Sequence, residues 1–265
     1  MPNSNPKLEQ VWILQREVGE PHLTSIKNVA LEKYLYSPKL PDGSRDPRLE
    51  KKLASLEGAL SKIWPNRANG FVDLGSKAIR HAIALFLSVQ FLRHPDRRDS
   101  AVKIRGKLID AIKKLPVDAG GLPVVEEIQI SSRQYTVNAA DWDKYLNAGN
   151  SSSIDNWRWF IEKDAQLWAK MLMQKRWSIV FVNEPLFVTC DYPFCVPQPT
   201  FERHQIGGKE ALILFPISPT RLLCLDDQNE PANQYYQVPN AAADEYNTFT
   251  WVNTNAFMIS SRKKR

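Results

Sequence analysis

The sequence predicts an α+β fold: helices in the first half packed on a mainly antiparallel sheet from the second half, around a single shared core. Three observations carry that expectation. Between residues 45 and 115 apolar positions recur at helical spacing. From Trp177 onward they collect into short runs separated by Pro, Asn and Asp. The chain has 265 residues, 43% of them hydrophobic and 24% charged, which is enough to bury a core of its own. The expected organisation is one domain over residues 1–265, helical at about 45–115 and β-rich at about 123–260, with a basic tail at 262–265.

The first helix rests on Leu49, Leu53, Leu56, Leu60 and Ile63, spaced four, three, four and three residues apart. Asp46 is placed to cap it, Pro47 fits its first turn, and Pro65 is expected to end it. The next helix, from about Asp73 to Leu92, is apolar around most of its circumference from Ala78 on, the pattern of a helix surrounded by other elements. Its stripe of Ile79, Ile83 and Phe86 continues onto Gln90 and Arg93. Polar groups in such places need partners, although a cation at a helix carboxyl end is also favoured by the dipole.

A third helix is expected over 99–115, closed by the turn "VDAGGLP" at 117–123. "VVEEIQI" reads as a strand, with a second around Tyr135 to Val137. A polar loop at 147–155 ends in Asp155 as a helix cap, and Trp157, Phe160, Ile161, Leu167, Trp168, Met171 and Leu172 form the packing face of the helix behind it. "RWSIVFV" and "LFVTC" are expected to pair across "NEP", and "ALILFPI" and "RLLCLDD" across "SPT". "NTFTWVNTNAFMIS" supplies one or two further strands. Tight turns between sequential strands make these pairs antiparallel.

Composition narrows the function classes. The longest apolar stretch, "AIALFLSVQFL" at 82–92, is too short to cross a bilayer, and no hydrophobic leader opens the chain, so a cytoplasmic location is expected. Three cysteines, Cys190, Cys195 and Cys224, read as reduced thiols without zinc-ligand spacing. Of the net charge of +6, Arg262, Lys263, Lys264 and Arg265 supply four. That tail reads as a solvated end, so charge alone does not establish a nucleic-acid partner. No G-x-S-x-G, P-loop or G-x-G-x-x-G pattern occurs. His22, His81, His94 and His204 are scattered, and only His81 lies where it could shuttle a proton.

"LFVTCDYP" at 186–193 runs an apolar strand into Asp191. One use for this aspartate is to build the turn, since Asp bonds nearby backbone N–H groups. The other is a carboxylate site, with Thr189 beside it and Gln90 and Arg93 delivered by the central helix. Asp226, at another strand end, would join Asp191 in holding Mg or Mn for phosphodiester cleavage. The first reading of function is therefore a nucleic-acid-processing enzyme, a metal-dependent nuclease or a toxin or defence effector, with Asp191, Arg93, Thr189 and Gln90 as catalytic residues and Asp191 and Asp226 as metal ligands. The alternative is a non-catalytic protein- or RNA-interaction module.

Several blocks follow one another in a recognisable order: "VWILQRE" with "IKNVALEKYLYS", "LEKKLASLEGALSKI", "ALFLSVQFLRHP", "RWSIVFVNEPLFVTCDYP" and "LFPISPTRLLCL". Over most of residues 11–260 the chain thereby resembles the bacterial family catalogued as domain of unknown function 4238. Two departures stand out. Nothing here corresponds to that family's usual amino-terminal His-x-Val-Pro segment, and Cys190 and Tyr192 replace its serine and asparagine, leaving Thr189, Asp191 and Pro193 matched. The resemblance implies no established activity.

Overall fold

The computed structural model of the protein describes residues 10–29, 37, 39–40, 42–71, 73–93, 103, 106–107, 109–124, 127–130, 133–137, 140, 142–143, 153–197, 211–228 and 230–262. The chain divides into two compact units, one of Met1–Phe91 with Ala165–Arg265 and one of Leu92–Asp164.

The first unit holds two four-stranded sheets. One runs in the order β2-β1-β10-β6, from strands β1 (Gln10–Gln15), β2 (Pro21–Ser25), β6 (Thr189–Cys190) and β10 (Phe257–Ser260). The other runs β7-β8-β5-β9, from β5 (Arg176–Phe181), β7 (Ile213–Ser218), β8 (Arg221–Asp226) and β9 (Gln234–Gln237). The α+β class holds, with a strand pair at the amino end that helical spacing in the first half did not announce. β1 and β2 are short and half-exposed, so their alternation is diluted by polar residues.

Helix α1 (Arg48–Ser61) buries Leu49, Leu53 and Leu60 as the stripe predicts. Asp46 accepts the Arg48 N–H at 3.0 Å, satisfying one of the donors at the helix start. Pro65 does not end this helix. It lies in the first turn of α2 (Trp64–Asn69), where a missing N–H costs nothing. Helix α3 (Lys77–Leu92) is as enclosed as its sequence requires, with Ala84, Leu87 and Ser88 fully buried. It starts later than expected, because Asp73 turns back to accept the Gly75 N–H at 2.7 Å. Trp64 of α2 and Phe86 of α3 pack edge-on against Phe215 of β7, at 6.3 and 6.0 Å between ring centres.

Two strand expectations are corrected. β5 and β6 do not form a hairpin. β5, buried at four of its six positions, pairs antiparallel with β8 and parallel with β9, while β6 pairs with β10. The segment between β5 and β6 instead follows the β7–β8 turn, Val182 and Phe187 donating to the carbonyls of Thr220 and Pro219 at 3.1 and 2.8 Å. The β7–β8 hairpin is as expected. Residues 247–253 are not a strand. They belong to helix α5 (Ala242–Asn253), opened by Asp244 and Glu245 in its first turn. Its Thr250 hydroxyl donates back to the Tyr246 carbonyl at 3.1 Å, so this threonine bonds within the helix it was expected to avoid.

Helix α4 (Ser153–Gln174) begins two residues before Asp155 and spans the boundary between the units. In the second unit, helical backbone is described at 103, 106–107 and 109–112, within the expected third helix. Strands β3 (Glu127–Ile130) and β4 (Arg133–Thr136) pair antiparallel. Ile112, Ile128, Val137 and Trp142 form a small core there.

Candidate functional site

Asp191 follows β6 directly, and its backbone N–H donates to the Phe257 carbonyl at 3.1 Å. Its carboxylate reaches the connection between α5 and β10, where one oxygen accepts the Asn255 N–H at 3.1 Å and the other the Ala256 N–H at 2.8 Å. The aspartate thus ties two chain segments more than sixty residues apart in sequence, as no bond within its own turn would. Thr189, half-buried, pairs with Ile259 in the same sheet. Between them, Cys190 is buried, its thiol donates to the Tyr192 carbonyl at 2.9 Å, and burial pushes its pKa up to about 12. A thiol held protonated in this way is a packing group and not a nucleophile.

Asp226 lies in the other sheet, at the end of β8. Arg176 grips it through both carboxylate oxygens, at 2.7 and 2.6 Å, and Gln228 donates its N–H to the same group at 3.1 Å. The hydrogen bond to Asp226 is the main reason the Arg176 guanidinium holds its proton more tightly than usual. Asp227 binds the buried Lys175, whose ammonium also donates to the Ala211 carbonyl at 3.2 Å. Among the described residues no group of three or more His, Cys, Asp or Glu side chains is placed to hold a metal ion.

Gln90 and Arg93 part company. Arg93 is half-buried in the turn after α3 and belongs to the second unit, whereas Asp191 belongs to the first. Gln90 lines a groove of about 650 Å³ built by α1, α2 and α3. Leu60, Trp64 and Phe86 wall it, and Glu57, Ser61, Asn69 and Gln90 supply its polar groups. Trp64 is held rigidly, its indole N–H donating to the Ile217 carbonyl at 3.1 Å and its ring meeting Phe86 edge-on at 5.6 Å.

Sequence reasoning passed over Arg221. It opens β8, only 6% exposed, and binds the end of α2 by donating to the Ala68 and Asn69 carbonyls at 3.0 and 2.8 Å. Phe71, Phe181 and Tyr235 surround the guanidinium, 4.6, 5.7 and 5.8 Å from its central carbon. The signal available was an arginine inside an otherwise apolar run, "TRLLCL".

These elements define an α+β protein whose strand-end acids hold its sheets together and whose helices enclose an aromatic-walled groove. The family described as "Protein of unknown function (DUF4238)" matches residues 4–264, and the chain belongs to it. No curated protein and no solved structure matches the chain.

Proposed function

We propose that this protein is a non-catalytic RNA-interaction module whose groove receives one unpaired base. The composition of that groove carries the reading: rings of Trp64 and Phe86 beside the Gln90 carboxamide. A glutamine amide can pair with the edge of an adenine, and aromatic side chains offer faces to any base. A volume of about 650 Å³ admits a planar heterocycle.

The metal-dependent nuclease reading asks Asp191 and Asp226 to serve chemistry, yet each is engaged by backbone amides or by Arg176. One experiment weighs both readings. Unstructured RNA oligonucleotides are titrated against the full chain by tryptophan fluorescence at two salt concentrations, and their integrity is followed with Mg²⁺ and Mn²⁺. Gln90→Ala is expected to weaken binding about tenfold, while Asp191→Ala leaves affinity within about twofold, since it lies outside the groove. Equal affinity in wild type and Gln90→Ala would remove the groove from the reading. RNA cleavage abolished by Asp191→Ala would replace the module with a hydrolase.

A further inference from the structure

Arg221 is saturated on two sides only. Its Nε and one terminal nitrogen bind the Ala68 and Asn69 carbonyls, while the other terminal nitrogen, Nη1, is buried without a hydrogen-bond partner. A buried charged donor left unmet opposes folding, and the surrounding rings return part of that cost as cation–π attraction. The three rings are not equivalent. Phe181 and Tyr235 belong to strands β5 and β9, but Phe71 lies just beyond α2 and is 66% exposed. Its ring stands nearest the guanidinium, at 4.6 Å, and touches Phe181 and Tyr235 at 5.2 and 5.0 Å between centres. Of the three rings only Phe71 is exposed, Phe181 and Tyr235 being half-buried, so it moves at the least cost to packing.

We propose that Arg221 anchors an oxyanion-binding site, for a phosphate or carboxylate group, which the Phe71 ring covers. With Phe71 swung outward, an anion reaches the guanidinium, whose Nη1 has two N–H donors that the interior leaves unmet. Phe181 and Tyr235 flank the guanidinium and keep water from screening the charge. A guanidinium already fixed by two carbonyls loses little freedom on binding, so its remaining donors meet a tetrahedral or planar oxyanion preorganised. The site meets the Gln90 groove at Ala68 and Asn69, but Arg221, Phe71, Phe181 and Tyr235 do not line that groove, and the site stands whether or not RNA binds there.

The test uses the full chain in three forms: wild type, Phe71→Ala and Phe71→Trp, titrated calorimetrically with inorganic phosphate and, separately, with acetate, against sodium chloride at matched ionic strength. Removing the cover is expected to tighten binding about tenfold over wild type, and the larger ring to weaken it. Because Phe71 is exposed, both variants are expected to fold. Binding of phosphate alone assigns the site to phosphate groups, and binding of both anions to oxyanions generally. Adding Arg221→Lys to Phe71→Ala should abolish the gain. Equal affinity in all three forms, a response that chloride reproduces, or a gain that survives Arg221→Lys would overturn the site.

Discussion

The two sheets of the first unit end their strands on aspartates that are satisfied by different chemistry. In β7-β8-β5-β9 the central strand β8 is buried at all six positions, and each acid at its carboxyl end is matched by a cation, Asp226 by Arg176 and Asp227 by Lys175. In β2-β1-β10-β6 the strands are half-exposed, and the corresponding acid, Asp191, is met by neutral backbone amides. The difference follows from burial. A carboxylate beside a dry strand needs a full counter-charge, whereas a half-buried one is satisfied by peptide dipoles and water. Residue type at a strand end therefore says little about chemistry, and the depth of the strand decides.

The sharpest way to break this comparison is to remove one partner from each sheet. Arg176→Ala strands Asp226 in a setting where both side chains are about 10% exposed. A loss of about 3–5 kcal/mol in urea unfolding is expected. Asp191→Ala removes two bonds to a charged acceptor from a wetter place, and a loss of about 2 kcal/mol is expected. Asp191→Asn, which keeps one acceptor oxygen, should lose about half as much. Faster amide exchange at Asn255 and Ala256 should accompany both Asp191 variants. If Asp191→Ala proves as costly as Arg176→Ala, burial does not set the scale.

The buried thiols sharpen the same point, because here the sheets should agree. Cys190 in β6 and Cys224 in β8 are both pushed up to about 12, in each case mainly by burial. Unfolded, such a thiol ionises near its ordinary value of 9.0. Between about pH 9 and 12 the unfolded chain therefore releases protons that the folded chain keeps, and stability falls as pH rises. Each thiol contributes a slope of up to about 1.4 kcal/mol per pH unit. Chemical denaturation at pH 8.5 and 10.5 should show a steeper loss in wild type than in Cys190→Ala or Cys224→Ala, by similar amounts. At pH 7.5 neither native thiol should react with iodoacetamide.

How much of this was legible in the sequence depends on whether a feature is local. The stripe of Leu49, Leu53 and Leu60, the enclosed helix of Ala84 and Leu87, and the hairpin at Ser218 are set by spacing and turn chemistry, and they appear where expected. What failed depends on partners far along the chain. The segment after β5 looked like half of a hairpin, yet its N–H groups are taken by Pro219 and Thr220. The β-branched run at 248–252 looked like a strand, yet Asn247 of α5 is needed to bind Val188 and Leu186 of another segment, at 3.0 Å each. Among the candidate site residues, Gln90 was singled out because it continues an apolar stripe, and it lines the α1–α3 groove, which does not include Asp191. The tie from Asp191 to residues 255–256 had no local signature, and Arg221 was hidden because its partners, Ala68 and Asn69, lie some 150 residues away.

The smallest effect is expected where a charge pair is neither buried nor well aligned. Arg262 meets Glu184 at 3.6 Å, with the two side chains 39% and 59% exposed. At that distance and exposure the attraction is screened by water and salt, and ordering two long side chains offsets most of what remains. Arg262→Ala should therefore change unfolding free energy by less than about 0.5 kcal/mol, and less still at high salt. Its guanidinium differs from that of Arg176 chiefly in surroundings, so the ratio of the two alanine effects isolates the part of an ion pair that burial creates. A ratio near one would mean that the Arg176–Asp226 pair is held up by neighbouring packing and that its charges matter little.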